Sequence, residues 1–202
     1  MSWWESAYRS GHVPWDPGEY DGHLPAILDR YEIAPARVID LGCGTGKSVN
    51  WLGRRGFEAV GVDSSPSAID SARKDGAPTA RFYCGRFPDE FEESEGDFAN
   101  DSYGLAMERA FLQHLGHDAA RSAAERIAEL LAPGGIFYSL MIAAEGSQGH
   151  WGITKWGRSE IEHVVEGAFA IIEMRKVAFT PGQPGSVPAW LTVCSPAEDG
   201  QA

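Results

Sequence analysis

The chain has 202 residues, a length that suits one medium α/β domain. Its 43% apolar and 23% charged content excludes a disordered or collagen-like chain, and 24 Gly and 12 Pro without a period point to many tight turns. The 29 acidic residues outnumber the 17 basic ones, and a formal charge of −12 disfavours nucleic acid and membrane partners by repelling phosphate backbones and anionic lipid.

The start, Met1-Ser2-Trp3-Trp4-Glu5, has no basic region followed by an apolar run, so no signal peptide is expected. Leu24, Ile27, Leu28 and Tyr31 recur at helical spacing and predict an amphipathic helix with Pro25 in its first turn. Arg37 to Leu41 is a short apolar run stopped by glycines, read as a buried strand, and Val49 and Leu52 mark the helix after it. Phe57 to Val62 is a second strand, and Ser65-Pro66 opens a helix with Ser as cap and Pro at the first position. Arg81 to Cys84 and Tyr103 to Met107 read as the third and fourth strands, separated by an acidic surface loop over 89–101.

Asp118 is expected to cap an Ala-rich helix that Pro133-Gly134-Gly135 ends. Ile136 to Ile142 is a fifth strand, within an apolar stretch of strand length that falls far short of the ~20 residues of a membrane span. Ser159-Glu160-Ile161-Glu162 reads as a capping box, and 170–178 and 188–194 close the chain as two strands. The β-α-β-α-β alternation predicts a Rossmann-like α/β fold: a seven-stranded, mostly parallel sheet with helices on both faces and an antiparallel hairpin at one edge. The plan is a single domain over 1–202: an N-terminal aromatic segment and helix to 33, a core over 34–196 and a tail over 197–202.

The most informative stretch is Val38-Ile39-Asp40-Leu41-Gly42-Cys43-Gly44-Thr45-Gly46-Lys47-Ser48, a strand, a glycine turn and a helix. A phosphate loop needs Gly five residues before its Gly-Lys pair, and position 41 is Leu. A dinucleotide turn needs a third glycine where Lys47 stands, and Asp40 would repel a pyrophosphate. S-adenosylmethionine carries no phosphate. Asp40 suits its ammonium and sulfonium charges, Gly42 and Gly44 allow close backbone approach, and Asp63, 21 residues after Gly42, can grip both ribose hydroxyls.

These residues resemble a class I S-adenosylmethionine-dependent methyltransferase. The resemblance runs through 38–46, Val60-Gly61-Val62-Asp63-Ser64-Ser65 and Leu131-Ala132-Pro133-Gly134-Gly135, in that order. Trp4, Tyr8-Arg9, Val13-Pro14-Trp15-Asp16, Glu108 to Leu115 and Trp190 are similar to the thiopurine and tellurite-resistance methyltransferase group. The resemblance implies S-adenosylmethionine as cofactor, held by Asp40, Gly42, Cys43, Gly44, Gly46, Asp63 and Ser64. It further implies Arg86 and Phe87 on the adenine side and Glu108 at the methionine end. Trp4, Tyr8 and Trp15 would fold over the cofactor, although the same aromatics suit plain packing of a terminal segment. The family usually has an acid after the third strand to hold adenine, where this chain has Arg86, and often Asp where it has Gly104.

Arg109 is the candidate for the acceptor pocket, and Glu108 and Arg109 are equally able to pair as loop structure. His114 is a candidate base or a hydrogen-bonded loop histidine, and His150 and Trp151 are candidates for an acceptor lid. Six scattered histidines show no metal spacing, so no metal is expected. Cys43, Cys84 and Cys194 form no disulfide framework, and a cytoplasmic setting is expected. The expected function is methyl transfer to a small molecule by a monomer or homodimer, with a non-catalytic S-adenosylmethionine-binding protein and an ATP-binding phosphate-loop protein as alternatives.

Overall fold

A computed structural model describes residues 2–91, 96–145, 154–182 and 185–197. His150 and Trp151 lie outside the described residues.

Strands β1 (Arg37–Leu41), β2 (Glu58–Asp63), β3 (Ala80–Cys84), β4 (Tyr103–Arg109), β5 (Leu131–Ile142), β6 (Phe169–Phe179) and β7 (Val187–Pro196) form one sheet in the order β3-β2-β1-β4-β5-β7-β6. The first five run parallel, while β7 lies antiparallel between β5 and β6. This is the expected Rossmann-like architecture with its antiparallel edge.

Both faces are covered, so the central strands read as continuous apolar runs rather than alternating ones. Helices α5 (His117–Leu130) and α6 (Arg158–Val165) give Ile127, Ile161 and Val164 to a core with Ile39, Leu41, Val60 and Val62. On the other face α2 (Leu24–Arg30), α3 (Lys47–Gly53) and α4 (Pro66–Lys74) bury Leu24, Val49, Leu52 and Ile69 with Val38, Leu105 and Leu140. The chain reverses strand order beside β1, between its neighbours β2 and β4, and a doubly wound sheet places ligands at the carboxyl ends around that point.

Four expectations need correction. Helix α5 is capped by Gly116, so Asp118 falls in its first turn, where its charge still favours the helix N-terminus. The same helix stops at Leu130, and β5 begins at Leu131, earlier than the Ile136 expected. A register shift between Tyr103 and Leu105 absorbs Pro133-Gly134-Gly135 inside the strand. Helix α6 starts after Gly157, whose N–H donates to Glu160 at 2.7 Å, so Ser159 is not the cap. The acidic segment before β4 is not all surface: Phe98 is buried, and Asp97 accepts from Arg37, Arg81 and Tyr83 at 2.6–2.9 Å.

The N-terminal helix α1 (Trp3–Ser10) has no buried residue of its own. Ser2 caps it by accepting from the Glu5 N–H, and Gly11 ends it in the left-handed conformation. Glu5 anchors it to α4, accepting from the Ser65 hydroxyl at 2.6 Å and from the Ser67 hydroxyl and N–H at 2.7 and 3.1 Å. Those bonds hold the Glu5 carboxyl below its ordinary pKa.

Candidate active site

The turn after β1 is tied to the end of β2, because the N–H groups of Gly42 and Cys43 both donate to the Val62 carbonyl. That bond brings Asp63 under the turn. Its Oδ2 accepts from the Gly44 N–H and its Oδ1 from the Ser65 N–H, both at 2.9 Å. Burial pushes this carboxyl up, and the two N–H donors pull it back. Gly44 has φ +53, and a Cβ there would stand 2.7 Å from the Tyr8 hydroxyl. Gly46, at φ +70, has no room for a Cβ between Ala72 and Phe82. Position 46 therefore requires glycine for both conformation and space, and position 44 for its conformation. Cys43 fills the turn, and burial raises its thiol pKa well above the ordinary value, which makes it a packing residue rather than a nucleophile.

Two cavities open at the carboxyl ends of β1, β2 and β4. The larger holds about 340 Å³ and has Trp4, Asp63, Ser64, Phe87 and His114 in its wall. The smaller, about 70 Å³, has Asp16, Asp40, Cys43, Gly44 and Thr45 in its wall. Tyr8, Trp15, Gly42 and Arg109 border both and mark where they meet. Trp15 donates its indole N–H to the Tyr8 hydroxyl at 3.1 Å, and Trp4 packs edge-on to Trp15 and to His114 with ring centroids 5.2 and 4.7 Å apart. The N-terminal aromatics therefore form the cavity wall, with α1 above.

The electrostatics are those of a site awaiting positive charge. Asp40 is 5% exposed, and burial first, then the carboxylates of Asp21, Glu108 and Asp63, push it up to about 8. Glu108 is fully buried and pushed up to about 7, although the Ser139 hydroxyl and the Phe111 and Leu112 N–H groups donate to it. Glu108 and Arg109 do not pair with each other among the described residues. Arg109 instead donates to the main-chain carbonyls of Trp15 and Thr180 at 3.3 and 2.6 Å and lies 3.9 Å over the Phe179 ring. His114 is depressed to about 4 by burial.

The structure brings Asp40, Gly42, Cys43, Gly44, Asp63, Ser64, Arg86, Phe87, Arg109, His114, Trp4, Tyr8 and Trp15 to the two cavities. Gly46 and Glu108 line neither; Gly46 packs against α4 and β3, and Glu108 braces the loop after β4. Arg86 is exposed and pairs with Glu90 at 3.2 Å, leaving the Gly85 to Asp89 wall as the surface at that end. Phe111 and Leu115, from the stretch that carried the resemblance but not singled out in it, also line the large cavity, as do Asp89 and Phe179, which carried no sequence signal of a site. No group of side chains suited to a metal occurs among the described residues.

The fold is that of the class I methyltransferases. A family model described as a methyltransferase domain matches residues 15–169, and the chain belongs to that family. Over 148 residues it is 24% identical to probable thiol methyltransferase 2 of Arabidopsis thaliana, covering 72% of this chain and 64% of the relative. Over 134 residues it is 37% identical to trans-aconitate 2-methyltransferase of Methylobacterium nodulans, covering 60% and 47%. The chain thus spans roughly half to two thirds of the length of these curated relatives. The solved structure of 1,6-didemethyltoxoflavin-N1-methyltransferase from Burkholderia thailandensis, with bound 1,6-didemethyltoxoflavin and S-adenosylhomocysteine, superposes with a TM-score of 0.72. Identity to it is 20%, over 96% of this chain and 85% of that one.

S-adenosylmethionine is the cofactor of this class, and the chemistry of the site fits it. The smaller cavity offers a buried carboxylate at Asp40 to a cationic head, and a triphosphate would meet Asp16, Asp40 and Asp63, while the lysine of that wall, Lys47, is paired with Asp75 at 3.4 Å.

Proposed function

We propose that this chain transfers the methyl group of S-adenosylmethionine to a small-molecule acceptor by in-line displacement. The observation that carries the reading is Asp63, fixed by main-chain donors on both oxygens and standing in the wall of the larger cavity. Its remaining lone pairs suit the two ribose hydroxyls. Asp40 would hold the ammonium end, and the wall from Gly85 to Asp89 would receive adenine. Trp4, Tyr8 and Trp15 would close over the reacting centre and exclude water.

When bound, the cofactor supplies an electrophilic methyl on a sulfonium. The protein's part is then mainly alignment, because the barrier falls when nucleophile, methyl carbon and sulfur are held in line. Aromatic faces around the junction favour the sulfonium charge by cation–π attraction. His114 is a weak proton acceptor at neutral pH, since a base depressed to about 4 holds a proton poorly. It serves this reading better as wall than as base.

Calorimetric titration with S-adenosylmethionine and S-adenosylhomocysteine tests the proposal. Saturable binding is expected, weakened by about tenfold or more in Asp63→Ala, because a buried partner of the ribose is lost. Binding of ATP with magnesium in place of both ligands would overturn it, and binding without turnover of any acceptor would leave the non-catalytic alternative standing.

A further inference from the structure

Resting on the methyl-transfer reading, we propose that Gly182, which lines neither cavity, is a positioning residue for this site: it holds the segment from Pro14 to Asp16 in place and so fixes Trp15 where the two cavities meet.

That segment lies between α1 and α2, outside any helix or strand, and has no backbone ladder to hold it. Three elements remote in sequence each hold one of its residues. The Gly182 N–H, three residues after β6, donates to the Pro14 carbonyl at 2.9 Å. Arg109, at the end of β4, donates to the Trp15 carbonyl at 3.3 Å and to the Thr180 carbonyl at 2.6 Å, so it joins the segment to the same stretch of chain after β6. Thr45, in the glycine turn, donates its hydroxyl to the Asp16 carboxylate at 2.5 Å. The segment is thus strung between the glycine turn and the chain that leaves the edge strand.

The contact at Gly182 is the one without slack. A Cβ added there would overlap the Asp16 carbonyl oxygen and stand 2.9 Å from its carbon and 3.4 Å from the Pro14 carbonyl oxygen. All three are main-chain atoms, which cannot swing aside as the tip of a side chain would. Gly182 is not in the left-handed region, so its close approach and not its conformation demands glycine. Non-bonded atoms settle roughly 3.5 Å apart, so a side chain at 182 displaces the segment by about an ångström. Trp15 moves with it, and a site that works by alignment is sensitive to displacements of that size. Gly182 is itself exposed and belongs to neither core, so the consequence falls on the segment it holds rather than on the fold.

The test compares wild-type protein with Gly182→Ala and with Gly22→Ala, whose added Cβ meets open space. S-adenosylhomocysteine is the probe, with affinity read by calorimetry and release by stopped flow. The surroundings of Trp15 are read by its fluorine resonance in fluorotryptophan-labelled protein, assigned with Trp15→Phe. Gly182→Ala is expected to weaken binding by about tenfold or more, through faster release, and to shift the Trp15 resonance while the denaturant midpoint stays that of wild type. Gly22→Ala is expected to change none of these. In wild-type protein, saturating S-adenosylhomocysteine is expected to slow exchange of the Gly182 amide by about tenfold or more, although that residue touches neither cavity. Wild-type affinity in Gly182→Ala overturns the proposal, as does weakened binding with the Trp15 resonance unmoved. A Gly182 amide whose exchange ignores the ligand also overturns it, and this measurement decides alone if Gly182→Ala does not fold. Failure of wild-type protein to bind S-adenosylhomocysteine removes the methyl-transfer reading itself, and the proposal with it.

Discussion

Asp40 and Glu108 lie near the ends of adjacent strands, one register position apart, Asp40 opposite Met107 and Glu108 opposite Leu41, and both are sealed from water. Each holds its proton more tightly folded than unfolded, Asp40 to about 8 and Glu108 to about 7. For a carboxyl raised on folding, the native state is penalised once pH passes the unfolded value, and the penalty grows until pH reaches the folded value. The ligand-free protein is therefore expected to lose melting temperature between about pH 5 and pH 8.5, and Asp40→Asn to flatten that slope. S-adenosylmethionine affinity is expected to rise over the same window, because a cation favours the ionised form. An unchanged slope in Asp40→Asn would refute the assignment. Asp40 and Asp63 were legible because a glycine turn and a strand end fix their spacing in the chain. Phe111 and Phe179 were not, since an aromatic that lines a cavity has the same local sequence as one that fills a core.

At the scale of elements, α1 and the glycine turn make opposite demands. An eight-residue helix is marginal alone, and α1 buries none of its residues. Its position depends on Glu5 bridging Ser65 and Ser67, and on Arg109 holding the Trp15 carbonyl. Glu5→Ala is expected to quicken S-adenosylhomocysteine release in stopped-flow measurements and to speed amide exchange over residues 3–10, with global melting unchanged. Gly46 is the contrary case: α3, α4 and β3 meet on it. Gly46→Ala adds both a strained φ and a clash, and is expected to cost about 2–4 kcal/mol in denaturant unfolding. Helix periodicity located α2 and α4 in the sequence. It missed the Gly116 and Gly157 caps, because the polar residues just inside each helix carry the same chemistry as a cap.

Over the whole molecule the charge is −12, and the site concentrates some of it in Asp16, Asp40 and Asp63. S-adenosylmethionine is cationic and its demethylated product is not. Raising salt from about 20 to 300 mM is expected to weaken the first and leave the second nearly unchanged, because screening acts on net charge. Parallel salt dependence of the two Kd values would show that the field plays no part in distinguishing them. Among the described residues no helix is long and apolar enough to cross a membrane.

The chain by itself determined the strand succession, the parallel core, the glycine turn and the acid at the end of β2. Each is set by residues within a few positions of one another, through pattern, conformation and capping. Tertiary structure alone decided the rest. Folding lays a helix from the N-terminus over the carboxyl ends of the strands, sets Arg109 against Phe179 from a strand seventy residues later, and turns Arg86 outward. These contacts join segments remote in sequence, and which of them form depends on which surfaces the packed sheet leaves to be covered.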